Sequence, residues 1–473
     1  MSSSGAAAQA AAQVAAADGL QGPALRWAMV SILCGLVLCV LDSTMLNLAL
    51  PQMARQFQID PAYTLWVINA NQIASLVLLL PLAALGDRLG YKRVYLWGMA
   101  MFGLASVLAA LAPSLPWLIV ARALQGMGMA GVLSVNGALV RQIYPRSSLG
   151  RGMALNSMAV ALSMVTGPVL AAAVLTYIDW RWMFSLHLPM ALWLCWLGRR
   201  VLPPAHSTAG GQRLSVLDVL LNVCMFACMF LALDRISHYQ PTHSLWWPLL
   251  WLLGGLLSGA WYVQRQRTQA QPMLPLDLLR IRTFALSMGG SVCAFSAQTM
   301  AFLALPFLLI EAYGLPTGQA GFLIRAWPLA LAVVAPWVGR RIGRIPASRL
   351  GAGGMGLFAA GLWALAWMPA DVQTWDIVWR MALCGAGFAM FQSPNNHTIV
   401  TSAPVHRSGA ASGMLGTARH TGQGVGAITL AACFVLWPGT AGAAEQYALL
   451  IAGGFAVMAA LLSSLRHTPT KPV

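Results

Sequence analysis

The sequence predicts an all-α integral membrane protein with fourteen transmembrane helices, arranged as two pseudo-symmetric six-helix bundles with two additional helices between them. Three observations carry that prediction. Of 473 residues, 59% are hydrophobic and only 8% charged, against roughly 25% charged in a typical soluble domain. Apolar windows of about 20 residues, the length that crosses a bilayer, recur along the whole chain. Lys and Arg gather in alternate connections between those windows. Twelve carboxylates are too few to clothe a soluble globule of this size, so a water-soluble enzyme, a disordered chain and a fibrous protein are excluded. The 45 Gly, 26 Pro and 19 Trp suit helical spans and membrane interfaces.

Residues 1–25 are rich in Ala, Ser and Gln, carry the single charge Asp18, and are expected to form a disordered cytoplasmic tail. The N-terminal half, 26–200, holds spans near 27–50, 63–85, 94–112, 116–140, 152–176 and 182–198. The first is too long for a signal-peptide core and lacks a good cleavage site, so it stays attached. The short connection from Ala112 to Leu115 makes its flanking spans antiparallel. The stretch 201–283 holds the two extra spans, near 215–234 and 246–264. The C-terminal half, 284–466, holds spans near 284–310, 318–339, 350–368, 376–398, 410–436 and 446–465, and 467–473 is a second cytoplasmic tail. Eight Cys all fall within apolar stretches, without metal or disulfide spacing, and read as small buried hydrophobes.

The net charge of +16 lies in short clusters, which points to orientation in a bilayer rather than to nucleic acid. One set of connections carries 21 of the 28 Lys and Arg. The positive-inside rule then places both termini in the cytoplasm, as an even number of spans requires. Two stretches also recur at nearly one offset. Gly86-Asp87-Arg88-Leu89-Gly90 matches Gly339-Arg340-Arg341-Ile342-Gly343, and Gly126-Met127-Gly128 matches Gly385-Ala386-Gly387. Duplicated halves are how many secondary transporters build a central site that opens alternately to each side.

Charged and polar residues inside spans are the candidate functional groups, because each is costly in a bilayer. Asp42 is the one carboxylate well inside an early span. A carboxyl group can carry a proton, since burial favours its neutral form and an approaching cation or water its charged form; a structural hydrogen bond is the alternative. Arg122 cannot readily lose its charge and is either a fixed positive field acting on Asp42 or a side chain snorkelling to the interface. Asn47, Gln125, Arg325, Gln392, Asn395, Asn396, His397, Arg419 and His420 are candidate cavity residues. For His397 and His420 singly, a satisfied core histidine is the simpler reading. Asp42 stands alone against Arg122, Arg325 and Arg419, a balance that favours a neutral, zwitterionic or anionic amphipath over a highly charged cation.

Several of these motifs resemble those of the major facilitator superfamily. Gly86-Asp87-Arg88-Leu89-Gly90-Tyr91-Lys92-Arg93 resembles its cytoplasmic loop motif, Arg122 with Gln125-Gly126 its fourth-helix basic motif, and Gly167-Pro168 its antiporter motif. The run from Leu41-Asp42-Ser43-Thr44 to Pro51 looks like the first-helix motif of the fourteen-span drug:proton antiporter branch (EmrB/QacA type). Phe391-Gln392-Ser393-Pro394-Asn395-Asn396-His397 with Ala418-Arg419 looks most like its YebQ-type subgroup. His187, where an Asn is usual, and Arg325 depart from the pattern.

The resemblance implies a proton-coupled exporter of amphipathic small molecules, working by alternating access in the bacterial inner membrane. Asp42 and Arg122 would couple protons. Asp87, against a neighbouring helix end, would latch a cytoplasmic gate together with Gly86, Arg88, Gly90, Lys92 and Arg93, and Gly167 and Pro168 would bend and pack the fifth helix. Rival readings are a passive facilitator or importer and, more distantly, a membrane redox enzyme. The only two Lys, Lys92 and Lys471, are not preceded by Gly, so no phosphate-binding loop for ATP can be drawn. No cofactor, metal or nucleic acid is expected. The expected partners are protons, substrate and lipid, with a monomer as the working unit and room for a periplasmic adaptor.

Overall fold

In the computed structural model, residues 19–46, 49–58, 61–204, 215–237, 246–267, 269, 273–369, 372–437 and 442–466 are described, and almost all are helical. The chain runs through α1 (Gly22–Met45), α2 (Leu50–Phe57), α3 (Pro61–Leu89), α4 (Tyr91–Ala110), α5 (Leu115–Ile143) and α6 (Leu149–Tyr177). The short α7 (Arg181–Ser185) and α8 (His187–Val201) follow, then α9 (Val216–Ser237), α10 (Trp246–Gln266) and α11 (Leu276–Leu279). The remainder comprises α12 (Arg282–Phe307), a π-helical turn at Leu308–Ala312, α13 (Thr317–Ile324), α14 (Ala326–Gly339), α15 (Ala347–Ala366), α16 (Thr374–Ser402), α17 (Ser408–Leu436) and α18 (Ala443–Ser464). Helix α1 takes in residues 22–25, which composition assigns to the tail, because Pro23 in the first turn gives up an N–H that has no helical partner anyway. The rest of that tail, 1–18, and the tail 467–473 lie outside the described residues.

The all-helical prediction holds, but the count of fourteen spans does not. Among the described residues, eight stretches are long and apolar enough to cross a membrane: Gly22–Met45, Trp66–Leu89, Tyr91–Ala110, Leu115–Ile143, Leu149–Tyr177, Arg282–Ile310, Gln319–Gly339 and Ala443–Ser464. A sliding apolar window overcounts because it ignores helix breaks and tolerates polar runs. The expected span 182–198 breaks at Leu186, leaving α8 with 15 residues. The apolar part of α9 is Val216–Ala232. Helices α16 and α17 carry the polar runs around Gln392–Thr398 and Arg419–Gln423.

Helices α1 and α3–α8 pack mainly against one another, as do α12–α18, while α9 and α10 form a hairpin that leans on α3. The two bundles meet along α6 against α14 and along α17 against α3 and α5. A core of the second bundle runs through Phe295, Trp327, Phe358 and Phe388, and one in the first through Tyr95, Met99 and Phe102. Outside, α10 exposes Trp246, Trp247, Leu250, Leu253, Leu257 and Trp261, a face suited to hydrocarbon and interface rather than to water. Cys39, Cys384 and Cys433 are buried as composition suggests, whereas Cys224 is exposed.

The long-range repeat appears as geometry. A side chain at Gly98 would strike the carbonyl of Gly128, and one at Gly354 that of Gly387. A side chain at Gly126 would strike the backbone of Asn71, and one at Gly385 that of Trp327. Each pair lets two helices approach to backbone contact, as small residues do in membranes. The turns match too, since Gly90 and Gly343 have φ of 91° and 92°. Gly90, with ψ 138°, sits in a region open to glycine almost alone. Gly90→Ala is therefore expected to cost about 1–3 kcal/mol. A thermal melt of the purified protein indistinguishable from wild type would contradict this.

Candidate functional site

Asp42 and Arg122, the two charged residues deep within the first bundle, meet in one buried cage. Asp42, in the last turn of α1, is 3% exposed, and Arg122, in the second turn of α5, is 1% exposed. Arg122 Nη1 donates to both Asp42 oxygens at 2.8 Å, and its Nε donates to the Val67 carbonyl at 3.1 Å. Gln125, one turn on, accepts from Arg122 and donates to Asp42 Oδ1 at 3.1 Å and to Ser106 Oγ at 2.8 Å. Asn71 donates to the Arg122 carbonyl at 3.4 Å. The Phe184 ring lies 5.6 Å from the guanidinium carbon. His187 completes the cage, with Nδ1 3.8 Å from Asp42 Oδ1 and no hydrogen-bond partner among the described residues.

The pair belongs to one bundle only. At the repeat's offset of 259 residues, Met381 and Cys384 stand where Arg122 and Gln125 stand, and both are fully buried apolar residues. The duplicated scaffold thus carries charge on one side and an aromatic core on the other. Gly167 and Pro168 lie on α6, where a Cβ on Gly167 would strike Thr44, two residues from Asp42. This close contact sets α6 against α1 at the level of the cage.

A second constellation lies at the basic end of the molecule. Helix α17 starts after Arg407, which offers no capping side chain, so its first N–H groups lack a partner of their own. Asp87, at the end of α3, supplies it from the other bundle. Its Oδ1 accepts from the Gly409 N–H at 2.8 Å and its Oδ2 from the Ala410 N–H at 2.9 Å, while Tyr91 Oη donates to Oδ1 at 2.7 Å. Arg141 treats the facing end of α16 in the same way, donating to the Val400 and Ala403 carbonyls and to Ser408 Oγ. An anion thus meets a helix N-terminus and a cation a helix C-terminus, each matched to the helix dipole. Lys92 Nζ caps α8 through the Arg199 and Leu202 carbonyls, both at 2.7 Å, rather than meeting a carboxylate. Arg88 Nη1 is buried without a hydrogen-bond partner among the described residues. Arg93 follows the Gly90 turn in the first turn of α4, and Gly86 packs on Val135 and Tyr91. The described hydrogen bonds between the bundles, Ser393 to Ser157 at 3.2 Å included, all lie in this half of the molecule.

The candidate cavity residues divide. Gln125 belongs to the Asp42 cage. Asn395 faces into the second bundle, where it accepts from Arg466 at 2.7 Å and donates to Ser291 Oγ at 2.7 Å. Arg325 sits at the break between α13 and α14. Gln392, Asn396, His397, Arg419 and His420 are partly buried along α16 and α17. Asn47 lies outside the described residues. An open depression of about 530 Å³ beside Leu315, Gln319, Leu323, Trp375 and Ile377 is remote from both constellations. Sequence reasoning missed Ser106 and Arg466 as partners. It noticed His187 only as an unusual residue, which was the available signal.

Comparison with known proteins agrees with this architecture. The family model described as Major Facilitator Superfamily matches residues 32–427. The chain is 43% identical over 452 residues to the uncharacterized transporter YebQ of Escherichia coli (strain K12), covering 96% of this chain and 98% of that one. It is 28% identical over 418 residues to the multidrug efflux pump LfrA of Mycolicibacterium smegmatis, covering 87% and 81%. The crystal structure of the human organic anion transporter MFSD10 superposes with a TM-score of 0.69 at 16% identity, covering 94% of this chain and 100% of that one, a likeness of fold. A family model spanning most of the chain and a relative of nearly equal length make this protein a transporter of the major facilitator superfamily and not an enzyme.

Proposed function

We propose that this transporter is a proton-coupled exporter of amphipathic small molecules, working by alternating access in the bacterial inner membrane with its basic end and both termini in the cytoplasm. The observation that carries the reading is the buried Asp42–Arg122 pair, 2.8 Å apart and shielded from water. A proton added to Asp42 removes its charge and with it the attraction for Arg122, so protonation and release of Arg122 form one event. Residues 26–200 and 284–466 are the two moving bodies, and 201–283 links them. With the basic end held closed by Asp87 and Arg141, alternating access assigns this conformer the step that releases substrate to the opposite side and admits a proton. The efflux-pump relative LfrA supports the exporter direction.

The test is substrate-driven proton flux in proteoliposomes containing a pH dye, with a panel of cationic, neutral and anionic aromatic amphipaths. Wild type is expected to move protons against substrate, and Asp42→Asn to lose both proton flux and uphill accumulation. A folded Asp42→Asn protein that still builds a substrate gradient would sink the reading and favour a facilitator.

A further inference from the structure

Arg419 lies eleven residues into α17, roughly 16 Å from its start at 1.5 Å per residue. Its depth is bracketed by Gly416, which packs on Leu79 of α3, and Gly422, which packs on Val292 and Phe295 of α12. A guanidinium keeps its charge in any protein environment, and a charge partly withdrawn from water without a counter-ion is unfavourable. Arg419 nevertheless has a buried Nε with no hydrogen-bond partner, and no ion pair among the described residues.

The described carboxylates are committed elsewhere. Asp42 is held by Arg122, Asp87 by the α17 N-terminus, Asp179 by Arg181, Asp218 by Arg265, Asp277 by Arg407 and Asp376 by Arg380. Glu445 lies in the first turn of α18, at the end away from the basic cluster. The backbone of Glu311 is in the π-helical turn after α12, roughly 28 Å along the chain axis from Val292.

Other unsatisfied groups share the layer. His420 Nε2 adjoins Arg419 on α17, and Gln392 Oε1 and Asn156 Oδ1 are likewise buried without hydrogen-bond partners among the described residues. Gln392 and Asn156 precede Ser393 and Ser157, whose hydrogen bond sets α16 and α6 at one level. Gln392 lies ten residues back from the end of α16 and Arg419 eleven forward from the start of α17, which brings the two to nearly one level.

We propose that Arg419 receives an anionic group of the transported molecule, so that the substrates are amphipaths bearing a carboxylate, sulfonate or phosphonate. Gln392 and Asn156 would accept hydrogen bonds from polar groups on the same molecule. The inference rests on the exporter reading only for the word transported; the binding site stands or falls separately.

Purified protein in nanodiscs is titrated with pyrenebutyrate, pyrenebutyramide and pyrenebutylamine, three probes of one shape that differ in charge, with empty nanodiscs as the blank. Wild type is expected to bind the carboxylate about tenfold or more tightly than the amide or amine, the scale of a charge-assisted hydrogen bond. Arg419→Gln should erase that preference, and Arg419→Lys should keep part of it. Equal affinity for all three, absence of binding by all three included, would overturn the proposal. So would a carboxylate preference that survives in monodisperse Arg419→Gln protein. No gradient enters this measurement, so a failure of proton coupling at Asp42 does not alter what it says about Arg419.

Discussion

Arg122→Gln is expected to destabilise the protein by about 3–5 kcal/mol, the cost of leaving one member of a buried ion pair without the other. The loss is large because Arg122 serves Asp42 on both oxygens and Val67 through Nε, so nothing else in the cage can replace it. Gln125 already commits its amide to Asp42 and Ser106. The double variant Asp42→Asn/Arg122→Gln should recover most of that loss, since a neutral pair leaves no uncompensated charge. Thermal melts of the four proteins in one lipid environment form a double-mutant cycle. Additive losses, with the double variant worst of all, would mean that the two side chains do not act as a pair. Arg122→Lys offers an intermediate case, because a point charge cannot reproduce the planar fork.

The cage is partly legible in the sequence. A lone carboxylate and a lone guanidinium inside apolar windows are visible in any sequence reading, and Asp42 and Arg122 stand out for that reason. Their contact is suggested by resemblance, not by spacing, because α1 and α5 meet only in three dimensions. His187 and Ser106 could not be found as partners for the same reason, as they come from α8 and α4. Arg466 illustrates the opposite error. Its place after the last span reads as one more charge of the basic connections, yet it is 2% exposed and bonded to Asn395, Ser287 and Ser463. The repeat is legible because glycines that allow backbone contact leave a mark at fixed offsets. The number of spans is not, because apolar content over a window does not register the break at Leu186 or the polar stretches of α16 and α17.

Asp87→Asn is expected to open the basic end. Asp87 accepts two charged hydrogen bonds from the start of α17, at 2.8 Å and 2.9 Å, each worth about 1.5–3 kcal/mol. Asparagine keeps one acceptor oxygen but turns an NH₂ donor toward an N–H, so one bond is lost and the other loses its charge. A net loss of about 1.5–3 kcal/mol changes a two-state population by one to two orders of magnitude. The effect falls on conformation rather than on folding, because Asp87 and Gly409 belong to different bundles whose cores stay intact. Spin labels at Arg151→Cys on α6 and Arg349→Cys on α15, both exposed, in a background without the native Cys, read the separation of the bundles at that end. The Asp87→Asn protein should show a longer distance and reduced transport, while its melting temperature moves little. An unchanged distance distribution would show that Arg141 and the packing of α6 on α14 hold the end closed unaided. In that case the helix cap from Asp87 is a consequence of closure and not its cause.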